Sequence, residues 1–310
     1  MLIVAGTGGV GKTTVSAAIA RMGARAGLKV LLVEVEGKSG LAGSFGHAGP
    51  LSYRETVLSE DRGGSVRGRT LTPDDALVEY LEQHGMKRIS RRLISSGAIE
   101  VVATAVPGIK DILVLGKVKA LERDSDADVI VLDAPAAGHA ITFLSSANGL
   151  LDAVRVGPIR AQAEEVVGLL SDAARCQVLL VTLPEETPVN ELVETGFALE
   201  DRVGVSLAPV VVNGLYPALG GLDVGAATVA ADAEVHLRPG EAETLDEAAA
   251  FRRTRQELQS EQVARLAEAL PLPQLRLPFL FTTDVGPAEL DVLADALAAS
   301  LAEIPGPAAR

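Results

Sequence analysis

Nine residues near the start of the chain, Gly6-Thr7-Gly8-Gly9-Val10-Gly11-Lys12-Thr13-Thr14, constrain its fold more than any other stretch. Gly6, Gly8, Gly9 and Gly11 open backbone conformations that a Cβ would forbid, and Lys12 and Thr13 follow at once. An apolar run at residues 2–4 precedes the glycines, and an alanine-rich helical pattern at 15–25 follows them. Strand, glycine-rich loop and helix with the spacing G-x-x-x-x-G-K-[ST] make a cradle for phosphates, in which loop N–H groups and the positive end of the helix dipole face the anion. Gly6, Gly8, Gly9, Val10, Gly11, Lys12, Thr13 and Thr14 are therefore the candidate nucleotide-binding residues. Lys12 would reach the β and γ phosphates, and the Thr13 hydroxyl would hold Mg²⁺.

The chain has 310 residues, 48% of them hydrophobic, enough to bury a large core. Apolar runs at 2–5, 29–35, 128–133, 177–183, 207–213 and 274–280 read as strands, with a further short one over 65–71. Most are apolar nearly throughout, as in a parallel sheet covered on both faces. Helical patterns at 15–25, 187–201 and 287–301 alternate with them, which predicts an α/β P-loop NTPase fold with a doubly wound, mostly parallel sheet. Residues 36–127 separate the second and third runs, far more than a crossover needs. Helical patterns over 73–83, 87–105, 109–123 and 159–172 fill much of the excess, with a break at Pro107-Gly108. The expectation is one P-loop domain over 1–310, carrying a helical subdomain of about 73–123 plus 150–175. Apolar stripes there, including Leu93, Ile94, Val101, Ile112, Leu115 and Val166, fit either a subdomain core or a groove for an apolar client. A long charged and alanine-rich helix is expected from near Glu241 to 270.

A net charge of −13 argues against nucleic acid or an anionic membrane surface as the main partner, since both select clustered Lys and Arg. Cys176 is the single cysteine, which rules out a disulfide within the chain and a multi-thiol metal site. No apolar run approaches the roughly eighteen residues of a membrane span. A cytoplasmic protein without stable membrane insertion is expected.

Two further signatures stand at strand ends. Asp133 closes the run at 128–133, where such NTPases place a carboxylate that helps hold Mg²⁺. Gly138 follows shortly, and its N–H can sense the γ phosphate. Glu34 and Glu36 arrive at the end of the run at 29–35 on one side of the strand, and Glu36 is the candidate to orient or deprotonate the attacking water.

Residues 6–14, 34–41 and 133–139 together resemble the ArsA-type ATPases, the family of arsenical-pump and tail-anchored-protein targeting ATPases. Asp133, Gly138 and His139 resemble its second switch, D-T-A-P-T-G-H, with Pro135 one place earlier than the family's proline. Val210-Val211-Val212-Asn213 is similar to its adenine-recognising strand end, and Pro278 to Gly286 to its loop beside the base. The resemblance implies ATP and Mg²⁺, with Thr13 and Asp133 at the metal and Asn213 and Pro278 at the base. It also implies a homodimer, or a heterodimer with a related ATPase chain, and a hydrophobic or membrane-protein client. Two residues depart from the family pattern: Thr7 stands at its signature lysine, and Glu36 at its catalytic aspartate. A hydroxyl cannot supply the lysine's charge, so a weakly active regulatory subunit that pairs with a second ArsA-type chain is the alternative. One cysteine provides neither a three-thiol arsenite site nor a zinc clip of two C-x-x-C pairs.

Overall fold

The computed structural model describes residues 1–35, 40–61, 63–83, 85–88, 108–135 and 137–304. Eight strands form one sheet in the order β3-β4-β2-β5-β1-β6-β7-β8. They are β1 Leu2–Gly6, β2 Lys29–Val35, β3 Thr56–Asp61, β4 Gly64–Leu71, β5 Val129–Asp133, β6 Gln177–Thr182, β7 Val210–Leu215 and β8 Gln274–Pro278. Every neighbouring pair is parallel except β3 with β4. The expected α/β, mostly parallel architecture is thus the observed one.

Residues along the central strands alternate between two cores. Ile3, Ala5, Leu31 and Val33 belong to one cluster, whereas Val4, Val30 and Leu32 belong to the other. The first is closed by helices α4 Ile109–Asp124, α5 Ala137–Ala153, α6 Pro158–Leu170 and α7 Glu186–Ala198, through residues such as Ile112, Leu144, Val166 and Val189. The second is closed by α1 Lys12–Arg25 and α10 Pro287–Glu303, through Val15, Ile19, Leu290 and Leu293. Pro287 opens α10, and the Glu289 carboxylate accepts from the Gly286 N–H at 3.0 Å, satisfying a donor the helix itself leaves unpaired. Burial of Cys176 in the first cluster pushes its thiol up to about 11, so it packs as a small apolar group.

Several expectations are corrected in detail. The run at 207–213 pairs as a strand only from Val210, while Leu207 makes one bridge to Val178. Strand β3 was not expected: Thr56–Asp61 is a polar edge strand, folded back on β4 with a register shift between Val57 and Ser59. Short α2 Gly40–Ser44, α5 and α8 Ala226–Asp232 were also unanticipated. Helix α9, Glu241–Ala269, runs the expected length, with only Gln259 and Leu266 buried.

The helical insertion is described in part. Helix α3, Pro73–Gln83, packs Ala76, Leu77 and Leu81 on Leu113 of α4, apart from the two large cores. Ile112 and Leu115 of α4 and Val166, Leu169 and Leu170 of α6 belong to the main core against the sheet. Leu93, Ile94 and Val101, expected in either a subdomain core or a client groove, lie outside the described residues. Among the described residues, no helix is long and apolar enough to cross a membrane.

Tyr53, Glu79 and Lys117 tie α3 and α4 to the loop before β3. Lys117 Nζ donates to Glu79 Oε1 at 2.6 Å, and the Tyr53 hydroxyl donates to Glu79 Oε2. Burial alone would raise the Glu79 carboxyl, but the two donors outweigh it and hold it below its ordinary value. A depressed carboxyl stabilises the fold above its unfolded value of 4.5 and loses that contribution as pH falls through the folded value. Glu79→Gln is therefore expected to lower the melting temperature at pH 7, and the gap to the parent should shrink in melts at pH 3.

Candidate functional site

Because seven strands run in parallel, the ends of β1, β2, β5, β7 and β8 share one edge of the sheet, and the candidates among the described residues lie along it. Strand β1 ends at Gly6 with φ +154°, where an added Cβ would stand 2.3 Å from the Val181 carbonyl oxygen of β6. Gly9 and Gly11 take left-handed φ values of +82° and +89°. Gly11 turns directly into α1, and its carbonyl accepts from the Val15 N–H at 2.9 Å. Gly8 and Gly9 are exposed at the tip, and Val10 is buried beneath them.

Lys12 is the first residue of α1. Its ammonium folds back over the loop and donates to the Thr7 carbonyl at 2.7 Å. Thr13 Oγ1 donates to Asp133 Oδ2 at 2.7 Å, and Ser16 Oγ, one turn further along α1, to Oδ1 at 3.5 Å. Asp133 is fully buried at the end of β5. Thr14 is partly exposed beside this pair. A threonine hydroxyl and an aspartate carboxylate in contact give hard oxygen donors, which suit Mg²⁺ completed by phosphate oxygens and water. Among the described residues no cluster of three or more His, Cys, Asp or Glu could hold a metal ion.

Strand β2 lies beside β5 with Glu34 in register with Asp133, and both are fully buried. Glu36 follows the end of β2 and lies outside the described residues, as does Ala136. Gly138 is the second residue of α5. Across the loop, Asn213 Nδ2 donates to the Val10 carbonyl at 2.9 Å and stands 2.4 Å from where a Cβ on Gly11 would be. Pro278 closes β8 in register with Leu215 of β7, two residues after Asn213, so Asn213 and Pro278 lie near the ends of neighbouring strands.

Two features were missed from sequence. Ser16 was legible, since it lies three residues after Thr13 on the same helix face. The second is an aromatic cluster beside Asn213: Tyr216 lies 5.1 Å from Phe279 and 5.7 Å from Phe281 between ring centroids, with the Arg252 guanidinium 4.5 Å from the Tyr216 ring centre. A separate cavity of about 320 Å³ lies among α3, α4 and α6, lined by Glu79, Lys117, Lys119, Arg123 and Gln162, with no residue of the phosphate loop.

The sequence model of the ArsA_ATPase family, described as Anion-transporting ATPase, matches residues 1–156. The chain belongs to this ATPase family. ATPase BagA of Mycobacterium tuberculosis is 37% identical to it over 226 residues, 70% of this chain and 65% of that one. ATPase get3 of Schizosaccharomyces japonicus is 26% identical over 175 residues, 54% of this chain and 52% of that one. Protein Rv2184c of M. tuberculosis is 29% identical over 243 residues, 68% and 57% respectively. The chain thus spans just under two thirds of the first of these relatives and about half of the second. The matched residues include the glycine loop, the Thr13–Asp133 contact and Gly138 of this ArsA-type chain. Asn213 and Pro278 lie beyond the matched segment.

Proposed function

We propose that the chain is a Mg²⁺-dependent ATPase whose hydrolytic cycle drives a dimer that handles hydrophobic or membrane-protein clients in the cytoplasm. The observation that carries the reading is the Thr13–Asp133 hydrogen bond directly under the glycine loop, an oxygen pair at the start of the helix that would face the phosphates. Lys12 is placed to leave the Thr7 carbonyl for the β and γ phosphates, exchanging a neutral acceptor for an anionic one. Loop N–H groups from Gly8 to Thr14 bind the remaining phosphate oxygens. Bound Mg²⁺ would supply charge neutralisation across the β and γ phosphates. Thr13 and Asp133, hydrogen-bonded to each other, would hold it, with Ser16 steadying the carboxylate.

In the proposed reaction Glu36 orients a water and accepts its proton as the water oxygen bonds to the γ phosphorus. The bond from that phosphorus to the β–γ bridging oxygen breaks, leaving ADP and phosphate. Gly138 senses the γ phosphate through its N–H, and Asn213 and Pro278 hold the adenine. Nucleic acid is not a partner in this reading, consistent with the net charge of −13. Asp133→Asn removes a carboxylate charge and keeps its shape. Titration calorimetry should then find ATP affinity in Mg²⁺ lowered to that of the parent in EDTA, whereas a persistent Mg²⁺ enhancement would contradict the metal assignment.

Thr7 favours a second reading, a regulatory subunit with little turnover of its own, because a dimer of this chain alone lacks the family's cross-subunit lysine. A related chain carrying that lysine would restore it. Affinity purification that returned only this chain, together with a homodimer forming on Mg-ATP in sedimentation velocity, would rule this reading out.

A further inference from the structure

Gln259 sits midway along α9, a helix exposed over most of its length, and yet is only 5% exposed. Its side-chain amide joins α9 to the end of β7 with both ends: Oε1 accepts from the Tyr216 N–H at 2.9 Å, and Nε2 donates to the Gly214 carbonyl at 3.1 Å. Those backbone groups lie where the β7–β8 register shifts between Val212 and Leu215 and Gly214 takes φ +78°, so the strand ladder is interrupted there. One donor and one acceptor at fixed places also determine which way the Gln259 amide is turned. Arg252 and Gln256, earlier on α9, both donate to the Pro217 carbonyl, at 2.9 and 3.0 Å. Helix α9 therefore grips residues 214–217, immediately after Asn213.

We infer that Gln259 is a positioning residue for base recognition, acting through Asn213; the inference rests on the proposed nucleotide site. Asn213 spends one amide hydrogen on the Val10 carbonyl, which fixes the turn of its own amide and leaves a carbonyl oxygen and a second N–H. In that orientation an amide matches the amino donor and ring-nitrogen acceptor of adenine and mismatches the carbonyl and N–H of guanine. The arrangement tolerates little movement of β7, because Asn213 Nδ2 already fills the space beside Gly11. Without Gln259, the Gly214 carbonyl and Tyr216 N–H lose their partners, and the residues next to Asn213 keep only the bonds further along, at Leu215 and Pro217.

The test is titration of ATP, GTP and inorganic tripolyphosphate, each with Mg²⁺, into the full chain. Gln259→Leu is expected to weaken ATP roughly tenfold, to leave tripolyphosphate within about twofold and to collapse the ATP-over-GTP preference. Gln259→Met keeps the length of the side chain without either hydrogen bond, so the same pattern is expected, and it carries the test should the leucine variant misfold. Asn213→Ala should lose the same preference, and adding Gln259→Leu to it should cost nothing further. Equal weakening of ATP and tripolyphosphate, an unchanged ATP-to-GTP ratio, or additive losses in the double variant would each overturn the inference. Failure of the unmodified chain to bind ATP at all would overturn the nucleotide reading itself, and is distinguished by that control.

Discussion

Lys12→Ala is expected to reduce Mg-ATP turnover by roughly a hundredfold or more, with the fold intact. Lys12 begins α1, is only 7% exposed and stretches back over the loop to the Thr7 carbonyl, so its charge is held at the cradle. A charge held in place in a partly water-free site stabilises the developing negative charge of a transferring phosphoryl group without having to reorganise. Alanine removes that charge and is itself the best helix former, so α1 has no reason to unwind. Lys12→Arg should not rescue, because a planar fork cannot replace a point charge in a space shaped for one. Unchanged melting with lost turnover is the expected pair of observations.

Gly6→Ala is expected to be the most damaging small substitution for stability, costing on the order of 2–4 kcal/mol in denaturant titrations. Gly6 ends β1 in the middle of the sheet with φ +154°, and an added Cβ would lie 2.3 Å from the Val181 carbonyl oxygen and 3.2 Å from Val10 Cγ2. The obstacle is backbone of β6, paired with β1 through Gly6 and Val181, so relief would require parting two central strands. Gly8→Ala is the matched control: no atom lies within 4 Å of its added Cβ and its φ is not positive. It should melt within about 0.5 kcal/mol of the parent.

The fold was legible where one signal dominated. Strands β1, β2, β5 and β6 are buried on both faces, so their sequences are apolar nearly throughout and announce a parallel sheet. Strand β3 carries no such mark, because an edge strand with Ser59, Glu60 and Asp61 reads as a loop until its pairing with β4 is known. The start of α5 was hidden for another reason: Gly138 and His139 suggested a switch loop, and Gly is a poor helix former. At the site, the phosphate loop and Asp133 could be named because each carries a local pattern. The Thr13–Asp133 contact spans 120 residues and followed only from matching those patterns to a known architecture. Gln259 had no local signal, since a glutamine in a charged helix resembles a surface residue until α9 is laid beside the end of β7. Phe279 and Phe281 alternate visibly after Pro278, but their meeting with Tyr216 and Arg252 depends on β7 and β8 being neighbours.

The proposed chemistry requires this chain to hydrolyse ATP with its own residues, with a threonine at position 7 and a glutamate at position 36. The most direct measurement is steady-state phosphate release from Mg-ATP by the purified chain, beside Lys12→Ala and Glu36→Gln. Turnover in the parent that is lost in both variants is the predicted result. Tight ATP binding with no phosphate release by the parent would show that the chain does not turn over ATP alone, and full turnover in Glu36→Gln would show that Glu36 does not handle the water.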